Sequence, residues 1–172
     1  MAQQIIMALT LVVFPALMAY SASSDLFTMT IPNRICLALV VGYFGLALAA
    51  GLPASAVAIN FSCAFGVLAL TFFLFSMGWI GGGDAKLAAA TALWLGWTEL
   101  LDYGVLTSAL GGVLTMAIVV SRKIQLPQWA ARLDWVARLH SADSGIPYGV
   151  ALAAAGLALY PHSQLWQLVA GR

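Results

Sequence analysis

Two aspartates, Asp25 and Asp84, are the side chains of this sequence best suited to chemistry. Asp25 ends a stretch, residues 1–24, that carries no charged side chain, and Asp84 follows three consecutive glycines, Gly81, Gly82 and Gly83. Two carboxyls held close in a poorly solvated site cannot both ionise easily, so one proton is shared between them. Such a pair suits aspartic proteolysis. The ionised carboxylate takes a proton from water, the protonated one donates to the scissile carbonyl oxygen, and no covalent intermediate is needed. The pair titrates as a unit, so neither residue owns the proton. Taken singly, each acid has a plainer reading: Asp25 as an interfacial charge, Asp84 as a helix N-cap. Their combination is what points to catalysis. Gly81 and Gly83 lack a Cβ, so a substrate strand can approach Asp84 closely.

The other candidates read as structural. Lys86 is a snorkelling anchor beside the motif. Glu99, Asp102, Asp134 and Asp143 are solvated loop or helix-end charges. His140 and His162 have no metal-ligand partner at helical spacing, so no metal and no cofactor are expected. Cys36 and Cys63 sit in apolar runs without CxxC spacing and read as packing residues.

These residues need a scaffold, and composition says which kind. Of the 172 residues, 63% are hydrophobic and 8% charged, against about 25% charged in a soluble domain. The bilayer is the solvent that fits such a chain, and a net charge of +1 gives no case for nucleic acid. The length suits one unit over 1–172. No Lys or Arg precedes the first apolar run, so it reads as a retained span rather than a signal peptide.

A crossing helix needs about 20 apolar residues. The charge-free stretches predict an all-α membrane protein of about six transmembrane helices, near 5–24, 35–50, 55–77, 81–99, 104–121 and 146–161. Pro15 lies inside the first and should kink it, Gly51-Leu52-Pro53 turns between the second and third, and Pro147 opens the last. Six spans put Arg34, Lys86, Arg122, Lys123, Arg132 and Arg138 on one face, with Arg172, Glu99 and Asp102 on the other. By the positive-inside rule the first face is cytoplasmic and both termini lie outside. Both aspartates then fall on the cytoplasmic side. Segment 122–145 carries Leu126, Trp129, Leu133 and Val136 at helical spacing, which predicts a short amphipathic helix on that surface that Pro127 could open.

Three segments together resemble a known family. Gly81-Gly82-Gly83-Asp84-Ala85-Lys86 resembles the GxGD-x-K motif of the type IV prepilin peptidases. Asp25 followed by Ile31-Pro32-Asn33 resembles the family's first aspartyl motif, and Gly145-Ile146-Pro147-Tyr148-Gly149 its Pro-Tyr/Phe-Gly segment. The resemblance implies an aspartic endopeptidase of the bacterial inner membrane. It would cut the short basic leader from prepilins or pseudopilins on the cytoplasmic side. It carries Asp25 and Asp84 over as the catalytic pair and Gly81 and Gly83 as motif glycines, with Ile31, Pro32 and Asn33 as a structural turn. The long forms of the family have a cysteine-bearing cytoplasmic insert and also N-methylate their product. This chain has no such insert, so it resembles the short form of tight-adherence (Flp-type) pili, which implies cleavage without methylation.

Alternatives stay open. Archaeal preflagellin peptidases share the GxGD arrangement. A presenilin-like protease is disfavoured because Ser24, not Tyr, precedes Asp25, and a rhomboid-like one because no serine has a nucleophile setting. A non-enzymatic transporter or assembly subunit would use the two acids to line an ion path. It would be marked by a second glycine-broken segment, for which Gly111-Gly112 is the nearest candidate.

Overall fold

A computed structural model describes residues 1–171. Arg172, expected on the far face, lies outside the described residues. The chain forms α1 (Ala2–Thr28), α2 (Asn33–Ala50), α3 (Ala54–Ser76), α4 (Gly82–Ser121), α5 (Gln128–Ala131), α6 (Asp134–His140), α7 (Tyr148–Leu159), a 3-10 turn at Tyr160–His162, and α8 (Gln164–Ala170). No strand occurs among the described residues. The chain is an all-α membrane protein, with α1, α2, α3 and α4 each long and apolar enough to cross a bilayer. Their exposed faces are apolar: α3 alone turns out Phe61, Phe65, Leu70, Phe72 and Phe73. That pattern belongs to helices whose outer solvent is lipid.

The links follow local rules. Helix α2 ends on Gly51 at φ 74°, where Leu52 N–H bonds the Ala47 carbonyl in a Schellman-type close. Pro53 then precedes α3, as the Gly-Leu-Pro run predicts. Helix α1 continues through Pro15 and ends on Met29, which adopts φ 55°.

Three expectations change. The fourth and fifth spans do not part near Glu99. They are one 40-residue helix, α4, interrupted at Gly96 (φ 74°, ψ −176°). In a straight helix Asp84 and Ser108 would stand about 36 Å apart. Both line one cavity of ≈ 660 Å³, so the chain folds back at Gly96 into two arms. Glu99 and Asp102 fall inside the second arm. Charge counting misplaces the turn because one glycine suffices to make it.

The sixth expected span is shorter than a crossing helix. Helix α7 has 12 residues and is prolonged only by the 3-10 turn. Segment 122–145 is not one amphipathic helix. It breaks at Arg132–Leu133 into α5, which does start directly after Pro127, and α6. The expected stripe is split: Trp129 and Leu133 are exposed, while Val136 is half-buried. Helix α6 docks on the end of α1, through Arg138 Nη1 to the Phe27 carbonyl (2.8 Å) and Trp135 edge-on to Phe27.

The core lies away from the aspartate end. Phe14, Tyr43, Trp94 and Tyr160 are fully buried against one another. Their polar atoms are satisfied: Trp94 Nε1 donates to the Leu39 carbonyl, Tyr160 to the Thr10 carbonyl, and Asn60 Nδ2 to the Tyr43 oxygen. Buried polar atoms in an apolar bundle need such partners.

A Cβ at Gly96 would stand 2.5 Å from Asn60 Oδ1, on a backbone that L-residues rarely adopt. Gly96→Ala is expected to destabilise by at least about 1–3 kcal/mol. Gly112→Ala, in open space in the same helix, should be neutral. Thermal unfolding of the two detergent-solubilised variants checks the contrast.

Candidate active site

Asp25 is placed by the end of α1. Three residues after it the helix stops, because Met29 turns left-handed and its N–H bonds back to the Asp25 carbonyl at 2.8 Å. The chain then runs through Thr30, whose carbonyl accepts from Ser24 Oγ (2.8 Å), to Pro32, the N-cap of α2. The turn Ile31-Pro32-Asn33 thus lies directly beside the acid. The Asp25 side chain is 6% exposed. Its Oδ2 accepts the backbone N–H of Gly149 at 2.7 Å.

Gly149 is the second residue of α7, so Asp25 meets the positive end of that helix, where N–H groups lack intrahelical partners. A Cβ on Gly149 would lie 2.7 Å from Ile31 Cδ1 and 2.8 Å from Asp25 Oδ2. The glycine is therefore required by the close approach of acid and backbone. Pro147 precedes the helix as its N-cap.

Asp84 is placed by the start of α4. Gly81, not Asp84, is the N-cap, which corrects the plain reading of that acid. Asp84 is the third helical residue, and its Oδ2 lies against Gly81, 3.0 Å from where a Cβ would stand there. An acid thus sits in the first turn, where the helix dipole favours it. Asp84 is half-buried and lines the ≈ 660 Å³ cavity with Gly81, Tyr103, Thr107 and Tyr148.

Two contacts bring the acids together. Ile31 touches Gly149 on the Asp25 side and Gly83 on the Asp84 side, where a Cβ would stand 3.3 Å from Ile31 Cβ. Lys86 Nζ donates to Asn33 Oδ1 at 2.9 Å, joining the first turn of α4 to the first turn of α2. Ile31 thus stands between the segment that carries Asp25 and the one that carries Asp84. Gly81 opens to the cavity, whereas Gly83 accommodates Ile31. Lys86 is exposed at the same end of the bundle.

Basic side chains complete this end. Besides Arg138 on α1, Arg122 at the end of α4 donates to the Leu139 and Ser144 carbonyls at 2.9 and 2.8 Å. These bonds fold segment 122–145 over the base of α7. Cys36 and Cys63 are buried free thiols in α2 and α3.

Sequence reasoning assigned no role to Gly149 and Tyr148. The signal was the Pro-Tyr-Gly segment, but nothing local says which residue it meets. Tyr148 packs on Gly111, its ring atoms occupying the place of a Cβ there, and its hydroxyl donates to the Thr107 carbonyl at 3.3 Å. Gly111 is thus a packing notch for Tyr148, and the Gly111-Gly112 pair lies within continuous helix rather than a second broken segment. Tyr103 and Thr107 were also missed, being ordinary members of an apolar helix by pattern.

The sequence model of the type IV leader peptidase family matches residues 12–116, a range that holds both aspartates. No curated protein and no solved structure matches the chain.

Gly149→Ala keeps the N–H but places a methyl against Asp25 and Ile31. It is expected to cost about 1–3 kcal/mol of stability. Gly83→Ala meets Ile31 less closely and should cost less. Melting temperatures of the two variants, measured side by side, check this order.

Proposed function

The chain belongs to the type IV leader peptidase family, and from that premise we propose that it is an aspartic endopeptidase with Asp25 and Asp84 as its catalytic pair. The observation that carries the reading is the meeting of the two acid-bearing segments at one end of the bundle, held by Ile31 and by the Lys86–Asn33 bond. Asp25 is anchored and buried, while Asp84 faces the cavity. The two acids divide the work on a water molecule. One carboxylate accepts the water proton as the oxygen attacks the carbonyl carbon. The other, protonated, donates to the carbonyl oxygen, and the collapse of the tetrahedral species returns a proton to the leaving amine. The glycines at 81–83 give the substrate backbone room at Asp84.

The substrate is the short basic leader of a prepilin or pseudopilin. An extended leader exposes the carbonyls that a helix hides, and non-helical backbone at membrane depth is tolerated beside a lined cavity. The active site faces the cytoplasm of the bacterial inner membrane, with both termini outside. The positive-inside rule supports this orientation, because Arg34, Lys86, Arg122 and Arg138 gather at the aspartate end. Cleavage proceeds without methylation, since the chain lacks the cysteine-bearing insert of the long forms.

Co-expression with a prepilin, followed by gel analysis of leader removal, tests the reaction. Asp25→Asn and Asp84→Asn keep size and remove the acid. Each is expected to abolish processing while the protein still accumulates in the membrane, and processing at the original rate by either variant would refute the pair. Orientation has its own check. A cysteine placed at Arg132 should resist an impermeant thiol reagent added to intact cells and react after lysis.

A further inference from the structure

Beyond the two aspartates, the cavity holds a second polar feature. Among the described residues, the Tyr103 hydroxyl and Thr107 Oγ1 are the buried side-chain oxygens without a hydrogen-bond partner. Both residues sit in the second arm of α4, one helical turn apart, 3% and 6% exposed. Both line the same cavity as Asp84.

The other hydroxyls of that cavity are already engaged. Thr71 donates to the Val67 carbonyl, Ser108 to the Gly104 carbonyl, and Tyr148 to the Thr107 carbonyl. The rest of the lining is largely aliphatic, with Leu70, Leu74, Ile80, Leu100 and Leu152. A buried hydroxyl left unpaired in apolar surroundings costs about 1–3 kcal/mol. Two of them on adjacent turns of one helix that lines the cavity, with the Thr91 hydroxyl near that of Tyr103 but already given to the Leu87 carbonyl, form a donor pair set for an acceptor that reaches them.

Resting on the peptidase reading of this cavity, we propose that Tyr103 and Thr107 form a subsite that holds a backbone carbonyl of the extended substrate beside the cut. The chemistry selects that ligand. Both groups donate O–H, an extended peptide offers unpaired carbonyl oxygens, and the other hydroxyls of the lining are engaged. The pair binds substrate in ground and transition state alike, so it acts on affinity and leaves the proton transfers to the aspartates.

Tyr103→Phe and Thr107→Val remove the hydroxyls with little change of shape, and Thr107→Val keeps the carbonyl that Tyr148 uses. Each is expected to raise KM for a prepilin leader substrate about fivefold to tenfold with kcat within about twofold. Melting temperature should stay level or rise, because no protein partner is lost. Binding of uncut precursor to Asp84→Asn protein, read by fluorescence anisotropy, supplies a measure independent of turnover. Adding Tyr103→Phe to that protein should weaken binding to the same degree. Unchanged KM and binding in both hydroxyl variants would overturn the subsite. So would a melting temperature that falls in step with affinity, since that marks an internal structural bond, or failure of the Asp84→Asn protein to bind precursor at all. If precursor binding depends on Tyr103 while the unmodified chain cuts nothing, the subsite stands and the peptidase reading falls.

Discussion

The Asp25 carboxylate accepts the Gly149 N–H at 2.7 Å, and the architecture of the aspartate end depends on that bond. A buried carboxylate in an apolar bundle needs a donor, and a helix N-terminus supplies donors that its own helix leaves unused. A charge-assisted bond of this kind is worth about 1.5–3 kcal/mol. It joins residues 124 positions apart and docks α7 onto α1 at the depth of the acid. Helix α7 is too short to cross a bilayer alone, so its placement rests on its neighbours. Side contacts with α1 and α4 hold its flank, and the Asp25 bond holds its end.

From that anchor the rest of the site is built by small residues and one aliphatic wedge. Gly149 admits Asp25 and Ile31 together because it has no Cβ. Ile31 then reaches Gly83 and sets the distance between the start of α4 and the end of α1. The Lys86–Asn33 bond closes the same gap on its exposed side. Each contact pairs a residue of one sequence motif with a residue of another. The motifs therefore work as one three-dimensional joint: the Ile-Pro-Asn turn is its hinge pin, and the glycine run and α7 are its two leaves.

Much of this was legible in the sequence, for physical reasons. The bilayer demands long uncharged helices, so α1, α2 and α3 follow from the charge-free runs, whereas α4 joins two expected spans across Glu99 and Asp102. Asp25 and Asp84 stood out because one closes an uncharged stretch, the other follows three glycines, and both fall on one predicted face. Gly51 and Pro53 announced their turn by type. The turn at Gly96 stayed hidden, since one glycine among apolar residues looks the same in a helix and at a reversal. The split of segment 122–145 was hidden too, because spacing shows a stripe but not the Arg138 and Arg122 bonds that bend the chain over α1 and α7. The role of Gly149 was illegible for a similar reason, as a side chain meeting a distant backbone N–H leaves no periodic trace.

The distribution of polar groups also bears on what such a bundle can do. An ion path needs polar or ionisable groups at intervals through the thickness of the protein. Here the interior behind the acids is closed by Leu87, Leu93, Trp94, Phe14 and Tyr160, all 2% exposed or less. The glycine break at Gly96 is about 18 Å along α4 from Asp84, and its nearest side chain is neutral Asn60, already bonded to Tyr43. The buried polar side chains Thr10, Ser21, Asn60 and Thr91 are each bonded inside the bundle, so among the described residues the unengaged buried oxygens are those of Tyr103 and Thr107. In low dielectric the charges on two acids and a polarised carbonyl interact more strongly than in water, and for the proposed pair the aliphatic lining of the cavity, with Leu70, Leu74, Ile80 and Leu152, is what lowers it.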